Sequence, residues 1–157
     1  MERITKDNYY LSIAKQVSMR WTCLRRNYGA IIVKNDEIIA TGYTGSPRGC
    51  DNCSDTGFCL REKLNIPGKQ RYELCKSVHA EMNAIISAPR KDIIGSMMYL
   101  VGRNNDYSLH DASCCLMCQK MIVNAGIETI KCLQSDGSIK TYTADEFREN
   151  INSMNID

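Results

Sequence analysis

The stretch VHAEMNAIISA, residues 78–88, reads as a helix, and what stands on either side of it decides the fold. Downstream, SMMYLVG (96–102) is a short apolar run that predicts a buried strand. CLMCQKMIVNAGI (115–127) reads as a second helix, closed by Gly126, and ETIKCLQ (128–134) as another strand. TADEFRENINSM (143–154) predicts a last helix, with Thr143 as cap and Glu146 completing a capping box. Upstream, Tyr10, Ile13, Ala14 and Val17 follow the i, i+3, i+4, i+7 pattern of an amphipathic helix, with Asp7 as its expected N-cap. YGAIIVKNDEIIATGY (28–43) then reads as a hairpin of strands Ala30–Val33 and Ile38–Tyr43 around an Asn35-Asp36 turn. The order is αββ followed by a βαβ-like alternation. It implies an α/β domain whose mixed sheet has four to five strands and helices on both faces.

The chain's 157 residues suit one domain, expected to span 1–157. Residues 46–76 form a long, poorly periodic, cysteine-bearing segment, and a loop of that length needs something to pin it. Net charge is only +2, which does not mark a polyanion binder. Residues 1–78 carry 13 basic against 8 acidic side chains, and residues 79–157 carry 7 against 10. A single phosphate would therefore meet the front half more readily, where Arg25, Arg26 and Arg48 flank the hairpin and the glycine-rich loop. No run approaches a membrane span, and MERITKDNYY is charged, without the apolar core of a signal peptide. A cytoplasmic location is expected, where thiols stay reduced. The 9 cysteines are an odd number, so metal binding or catalysis is a better first reading than a closed disulfide set.

His79 and Glu81 are two residues apart, and Cys115 and Cys118 three apart at a helix start. A C-x-x-C in the first turn brings both sulfurs to one ion, and the positive helix end favours thiolates. Taken alone, such a pair is equally a redox motif or packing. With His79 it makes a three-ligand zinc set with one open position. Glu81 separates a catalytic site from a structural one, because hydrolysis needs an unliganded carboxylate as proton carrier.

H-x-E followed by C-x-x-C resembles the zinc-dependent cytidine deaminase superfamily. Within it, GAIIVKNDEIIATGYTGSPRG (29–49) and SVHAEMNAI (77–85) are similar to the deoxycytidylate (dCMP) deaminases, over roughly residues 6–135. The resemblance implies a three-layer α-β-α sandwich with 46–76 as a cysteine-rich insertion. It implies zinc on His79, Cys115 and Cys118, Glu81 as general acid/base, and backbone near Ala80 against the base. The implied reaction is hydrolytic deamination of dCMP to dUMP and ammonia, supplying dUMP for thymidylate synthesis. Some relatives carry a second, structural zinc. That resemblance points to Cys23, Cys53, Cys59 and Cys75, with Cys50 as substitute. It also implies a homo-oligomer, hexamer or dimer, and dCTP and dTTP as effectors.

Two positions depart from the family pattern. Cys114 stands where proline usually precedes the first zinc cysteine, and Thr44 replaces the asparagine of G-Y-N-G that touches the sugar. Thr44 keeps other cytosine nucleosides and nucleotides in view as substrates. A tRNA adenosine deaminase would need a basic surface, whereas the chain from Asp145 onward has four acids and one arginine. A pterin- or flavin-precursor deaminase would lack the insertion, and a non-catalytic zinc module would have no use for Glu81. Neither a membrane nor a nucleic acid is expected as partner.

Overall fold

The computed structural model describes residues 1–154; the last three residues of the expected 1–157 domain lie outside the described residues. Helix α1 (Lys6–Ser18) leads into strands β1 (Arg26–Lys34) and β2 (Glu37–Tyr43). Two one-turn helices, α2 (Cys53–Thr56) and α3 (Leu60–Lys63), and a 3-10 turn at Tyr72–Leu74 occupy the insertion. Next come α4 (Ala80–Ile86), α5 (Arg90–Ile93), β3 (Met97–Asn104) and the two-residue β4 (Leu109–His110). Helix α6 (Leu116–Ala125), strands β5 (Thr129–Leu133) and β6 (Ile139–Thr143), and α7 (Ala144–Asn152) complete the order.

The sheet runs β2-β1-β3-β5-β6, with β4 paired on β3. Only β3 and β5 pair in parallel, and α6 makes the crossover between them. Alternation along the strands divides the core in two. Ile31, Val33, Tyr99 and Val101 face α1, packing on Tyr10, Leu11 and Ala14. Ala30, Ile32, Met98, Leu100 and Ile130 face the other side, against Ala80 and Ala84 of α4, Cys118 and Ile122 of α6, and Phe147 of α7. This is the expected α-β-α sandwich. Because its central strands are buried on both faces, they read as continuous apolar runs.

Three local features differ from expectation. The N-cap of α1 is Thr5, whose hydroxyl accepts the Asn8 N–H at 3.2 Å. Asp7 instead accepts hydrogen bonds from Tyr99 (2.8 Å) and Lys131 (2.5 Å), tying α1 to the sheet. Strand β6 was not among the expected strands, although Asp136-Gly137 forms the turn joining it to β5. The insertion holds a buried arginine. Arg61 is buried, donates to the Pro67 carbonyl at 3.0 Å, and lies 4.8 Å from the Tyr72 ring centre. The capping box of α7 is as expected: Glu146 N–H donates to Thr143 Oγ1, and Thr143 N–H donates to the Glu146 carboxylate.

One glycine sets how closely α4 approaches the sheet. A Cβ at Gly42 would lie within 3.0 Å of the Ala80 carbonyl oxygen and the Ala84 nitrogen, so a bare backbone lets α4 lie directly on β2. Asn83 Nδ2 then donates to the Tyr43 carbonyl at 2.8 Å, and Val78 exchanges backbone hydrogen bonds with Gly45. Among the described residues, no helix is long and apolar enough to cross a membrane.

Candidate active site

Two helix starts meet on the α4/α6 face of the sheet. His79 is the N-cap of α4 and Cys115 the N-cap of α6, each with extended backbone angles that turn the side chain back across the helix end. His79 Nδ1 lies 3.4 Å from Cys115 Sγ and 3.4 Å from Cys118 Sγ. Among the described residues, these three form the one group whose potential ligand atoms all lie within 4.8 Å of one another. Tetrahedral zinc, with arms of about 2.3 Å to sulfur and 2.0–2.1 Å to nitrogen, sets an S···N edge of about 3.6 Å. Donor set and spacing therefore fit zinc.

Electrostatics within the group point the same way. The hydrogen bond from Cys118, helped by His79, draws Cys115 down to about 4, while the Cys118 thiol is pushed up. The hydrogen bond to Cys115 raises His79 above its ordinary value. One thiolate thus forms readily, and the second needs a cation to displace its proton. The edge of the Tyr72 ring meets the imidazole at 5.2 Å, so the Arg61–Tyr72 stack also walls the centre.

Glu81, one turn into α4, is only 4% exposed. Burial raises its carboxyl above the usual range, opposed by the His79 charge. Cys114 and Cys118 lie close to it. Cys114 is itself buried, and the nearby Cys132, with burial, raises its thiol. Cys114 is not in the donor group, and Cys132 packs in the core as an apolar residue would. A buried carboxyl beside a three-donor centre can take and return protons there.

The remaining expected site residues are distributed unevenly. Ala80 is fully buried at the start of α4. Thr44 is buried, and its hydroxyl accepts the Tyr28 N–H at 3.1 Å, which leaves only its own proton to donate. Arg25 pairs with Glu62 at 3.1 Å, and both side chains are exposed. Arg26 is exposed on the strand end beside Tyr28, and Arg48 is exposed on the glycine-rich loop. Cys23, Cys53, Cys59 and Cys75 lie near enough to influence one another. After burial, the charges of Cys23 and Cys59 raise both Cys53 and Cys75. They do not form a tight donor group among the described residues, and Cys50 is exposed.

Several residues around the centre were absent from the sequence reading. Tyr28, on β1, is pushed up to about 12 by burial and by the nearby Glu81 charge. Tyr72 and Arg61 come from the insertion, where no periodicity marks them. His110, on β4, meets Tyr28 edge-on at 6.3 Å. The chain has only 2 histidines, and that scarcity is the one sequence signal that could have singled out His110.

With this geometry in place, the similarities to known proteins are specific. The family described as the cytidine and deoxycytidylate deaminase zinc-binding region matches residues 4–134. A deoxycytidylate deaminase of Mycobacterium phage D29 is 33% identical over 135 residues, covering 83% of this chain and 95% of its own. The deoxycytidylate deaminases of Saccharomyces cerevisiae and Schizosaccharomyces pombe are 35% and 32% identical over 82% and 79% of this chain. The chain spans only 38% and 35% of those two proteins. The crystal structure of dCMP deaminase from the cyanophage S-TIM5, in complex with dCMP and dUMP, superposes with a TM-score of 0.55 at 26% identity, covering 82% of each chain. A cytidine deaminase from Burkholderia pseudomallei shares the fold, with a TM-score of 0.60 at 14% identity over 92% of this chain and 96% of its own. The chain belongs to the cytidine and deoxycytidylate deaminase family, with His79, Cys115 and Cys118 at its zinc-binding region.

Proposed function

We propose that the chain catalyses hydrolytic deamination of dCMP to dUMP and ammonia at this centre. The observation that carries the reading is the buried Glu81 carboxyl beside the His79–Cys115–Cys118 donors. His79 through Nδ1 and the two cysteines through Sγ would hold the zinc. When bound, the ion supplies Lewis acidity that makes a water nucleophilic at neutral pH. Glu81 takes a proton from the attacking water and gives one to the ring nitrogen beside the amine-bearing carbon. It then takes the second proton, from the hydroxyl newly attached to that carbon, and passes it to the departing ammonia. Burial holds its carboxyl above the usual carboxylate range, which favours proton uptake from the water. Backbone at Ala80 lies against the base, and the Thr44 hydroxyl retains a proton to offer the sugar.

The naming of relatives as deoxycytidylate deaminases supports dCMP over other cytosine compounds. A panel of dCMP, CMP, deoxycytidine, cytidine and adenosine-containing RNA, followed at the ring absorbance, tests this. The account expects dCMP among the best substrates. A preference for cytidine or RNA would overturn it.

We further propose a second zinc on Cys23, Cys53, Cys59 and Cys75, with Cys50 as substitute. The mutual influence of the first four supports it. Two zinc ions per chain are expected, and one would refute it. Homo-oligomerisation with activation by dCTP and inhibition by dTTP extends the same reading. Hyperbolic kinetics indifferent to both triphosphates would remove that extension.

A further inference from the structure

The cysteine-bearing insertion meets the zinc centre at Tyr72. This residue opens a 3-10 turn closed by the Cys75 N–H on the Tyr72 carbonyl at 2.9 Å. Its ring meets the His79 imidazole at 5.2 Å and 88°. The Arg61 guanidinium lies over the same ring, 4.8 Å from its centre. Arg61 is only 6% exposed, and the acids nearest it in sequence are taken: Glu62 pairs with Arg25, and Glu73 with Arg71. A buried guanidinium without a carboxylate depends on the ring face and on the Pro67 carbonyl it donates to. Its Nε has no hydrogen-bond partner among the described residues, which is destabilising. An apolar side chain of similar length would avoid that, so stability alone does not ask for arginine here.

His79 has few protein contacts to fix its ring. As N-cap of α4 it makes no capping hydrogen bond, and its Nδ1 faces the two sulfurs. Among the described residues its hydrogen bonds are those two, both at Nδ1. A metal-binding histidine is ordinarily oriented by a hydrogen bond at its other ring nitrogen. Here a ring contact stands where a protein acceptor would be. We propose that Tyr72, clamped by Arg61, is the positioning residue for His79, so that the order of the insertion sets metal affinity at the catalytic centre. This rests on the zinc centre described above and not on the choice of substrate. The aromatic ring carries the contact, because the Tyr72 hydroxyl has no hydrogen-bond partner among the described residues.

The readout is Co²⁺ affinity at this centre, measured on the intact chain by chelator competition. Absorption of the cobalt–thiolate site reports occupancy, and the part of the signal that His79→Ala removes belongs to this centre. Tyr72→Ala should weaken affinity by about 10- to 100-fold, the usual effect of removing a group that orients a metal-binding histidine. Tyr72→Phe keeps the ring and should stay within about two-fold of the wild type. Arg61→Met should weaken affinity several-fold, and Arg61→Lys less, because a cation remains over the ring. Phe58→Ala is the control. It removes another cation–ring pair of the insertion, Lys63 at 4.4 Å from the Phe58 ring centre, and leaves the Tyr72–His79 contact in place. Its affinity should match the wild type. Should Tyr72→Ala fail to fold, Tyr72→Leu, which keeps bulk without an aromatic ring, is read in its place. Wild-type affinity in Tyr72→Ala overturns the proposal, as does an equal loss in Phe58→Ala or in Tyr72→Phe. The metal measurement needs no turnover. A wild-type chain that deaminates no cytosine compound would refute the deaminase reading, and the affinities would still decide the role of Tyr72.

Discussion

Replacing Gly42 by alanine tests how the fold holds the site. The added methyl would sit within 3.0 Å of the Ala80 carbonyl oxygen and the Ala84 nitrogen, both in the backbone of α4. No side-chain rotation relieves that contact, so α4 must move off β2. The move would stretch the Asn83–Tyr43 hydrogen bond and carry His79 and Glu81 with it. Overpacking of this kind costs about 1–3 kcal/mol, and a backbone collision belongs at the upper end. For a domain of this size that lowers Tm by roughly 4–10 °C. Activity should fall further than stability, because displacement by about 1 Å can cost about 100-fold in rate. Gly68→Ala is the control: a Cβ there meets nothing within 4 Å, and its Tm should shift by no more than about 2 °C. Thermal melting and dCMP turnover measured on both variants decide the matter. Gly42→Ala melting with the wild type and turning over normally would refute the idea that contact between α4 and β2 positions the centre.

Two further predictions concern the half-buried Asp7 and the metal ligands. The pKa of Asp7 is raised by burial, but hydrogen bonds from Lys131 and Tyr99 outweigh this, and the net shift is downward. A folded pKa below the unfolded value contributes stability at all pH above the ordinary carboxylate value of 3.8, lost as pH falls through the folded pKa. Asp7→Asn should therefore lose about 1 kcal/mol at pH 7, with the gap to wild type closing below pH 4 in parallel melts. A gap constant down to pH 2 would contradict this. Cys114→Pro should keep zinc and turnover, because no backbone hydrogen bond from the Cys114 N–H exists among the described residues to be lost. Cys115→Ala should lose both, as read by zinc content after dialysis; equal retention by the two variants would reassign the ligands.

Most of the order of elements along the chain, and the metal centre, were legible because each rests on local pattern. Apolar runs at 96–102 and 128–134 mark strands buried on both faces, and H-x-E with C-x-x-C marks two helix starts facing one point. What escaped depends on contacts distant in sequence. The pairing of Arg25 with Glu62, 37 positions later, is one such contact. Thr44 looked like a free hydroxyl until the Tyr28 N–H was found on it. Within the insertion, Arg61 lies over the Tyr72 ring, a contact that no sequence periodicity marks. Strand β6 was missed although IKTYT is rich in β-favouring residues and follows an Asp-Gly turn; its half-exposed pattern lacks an apolar run.

The central claim is that Glu81 moves protons at a zinc centre it does not ligate. Glu81→Gln keeps the side chain's size while removing the carboxylate. Zinc content and dCMP turnover measured on the same preparation test the claim most directly. The account predicts that zinc at His79, Cys115 and Cys118 is retained while turnover falls by on the order of 1,000-fold. Turnover near the wild-type rate in a fully zinc-loaded variant would contradict it.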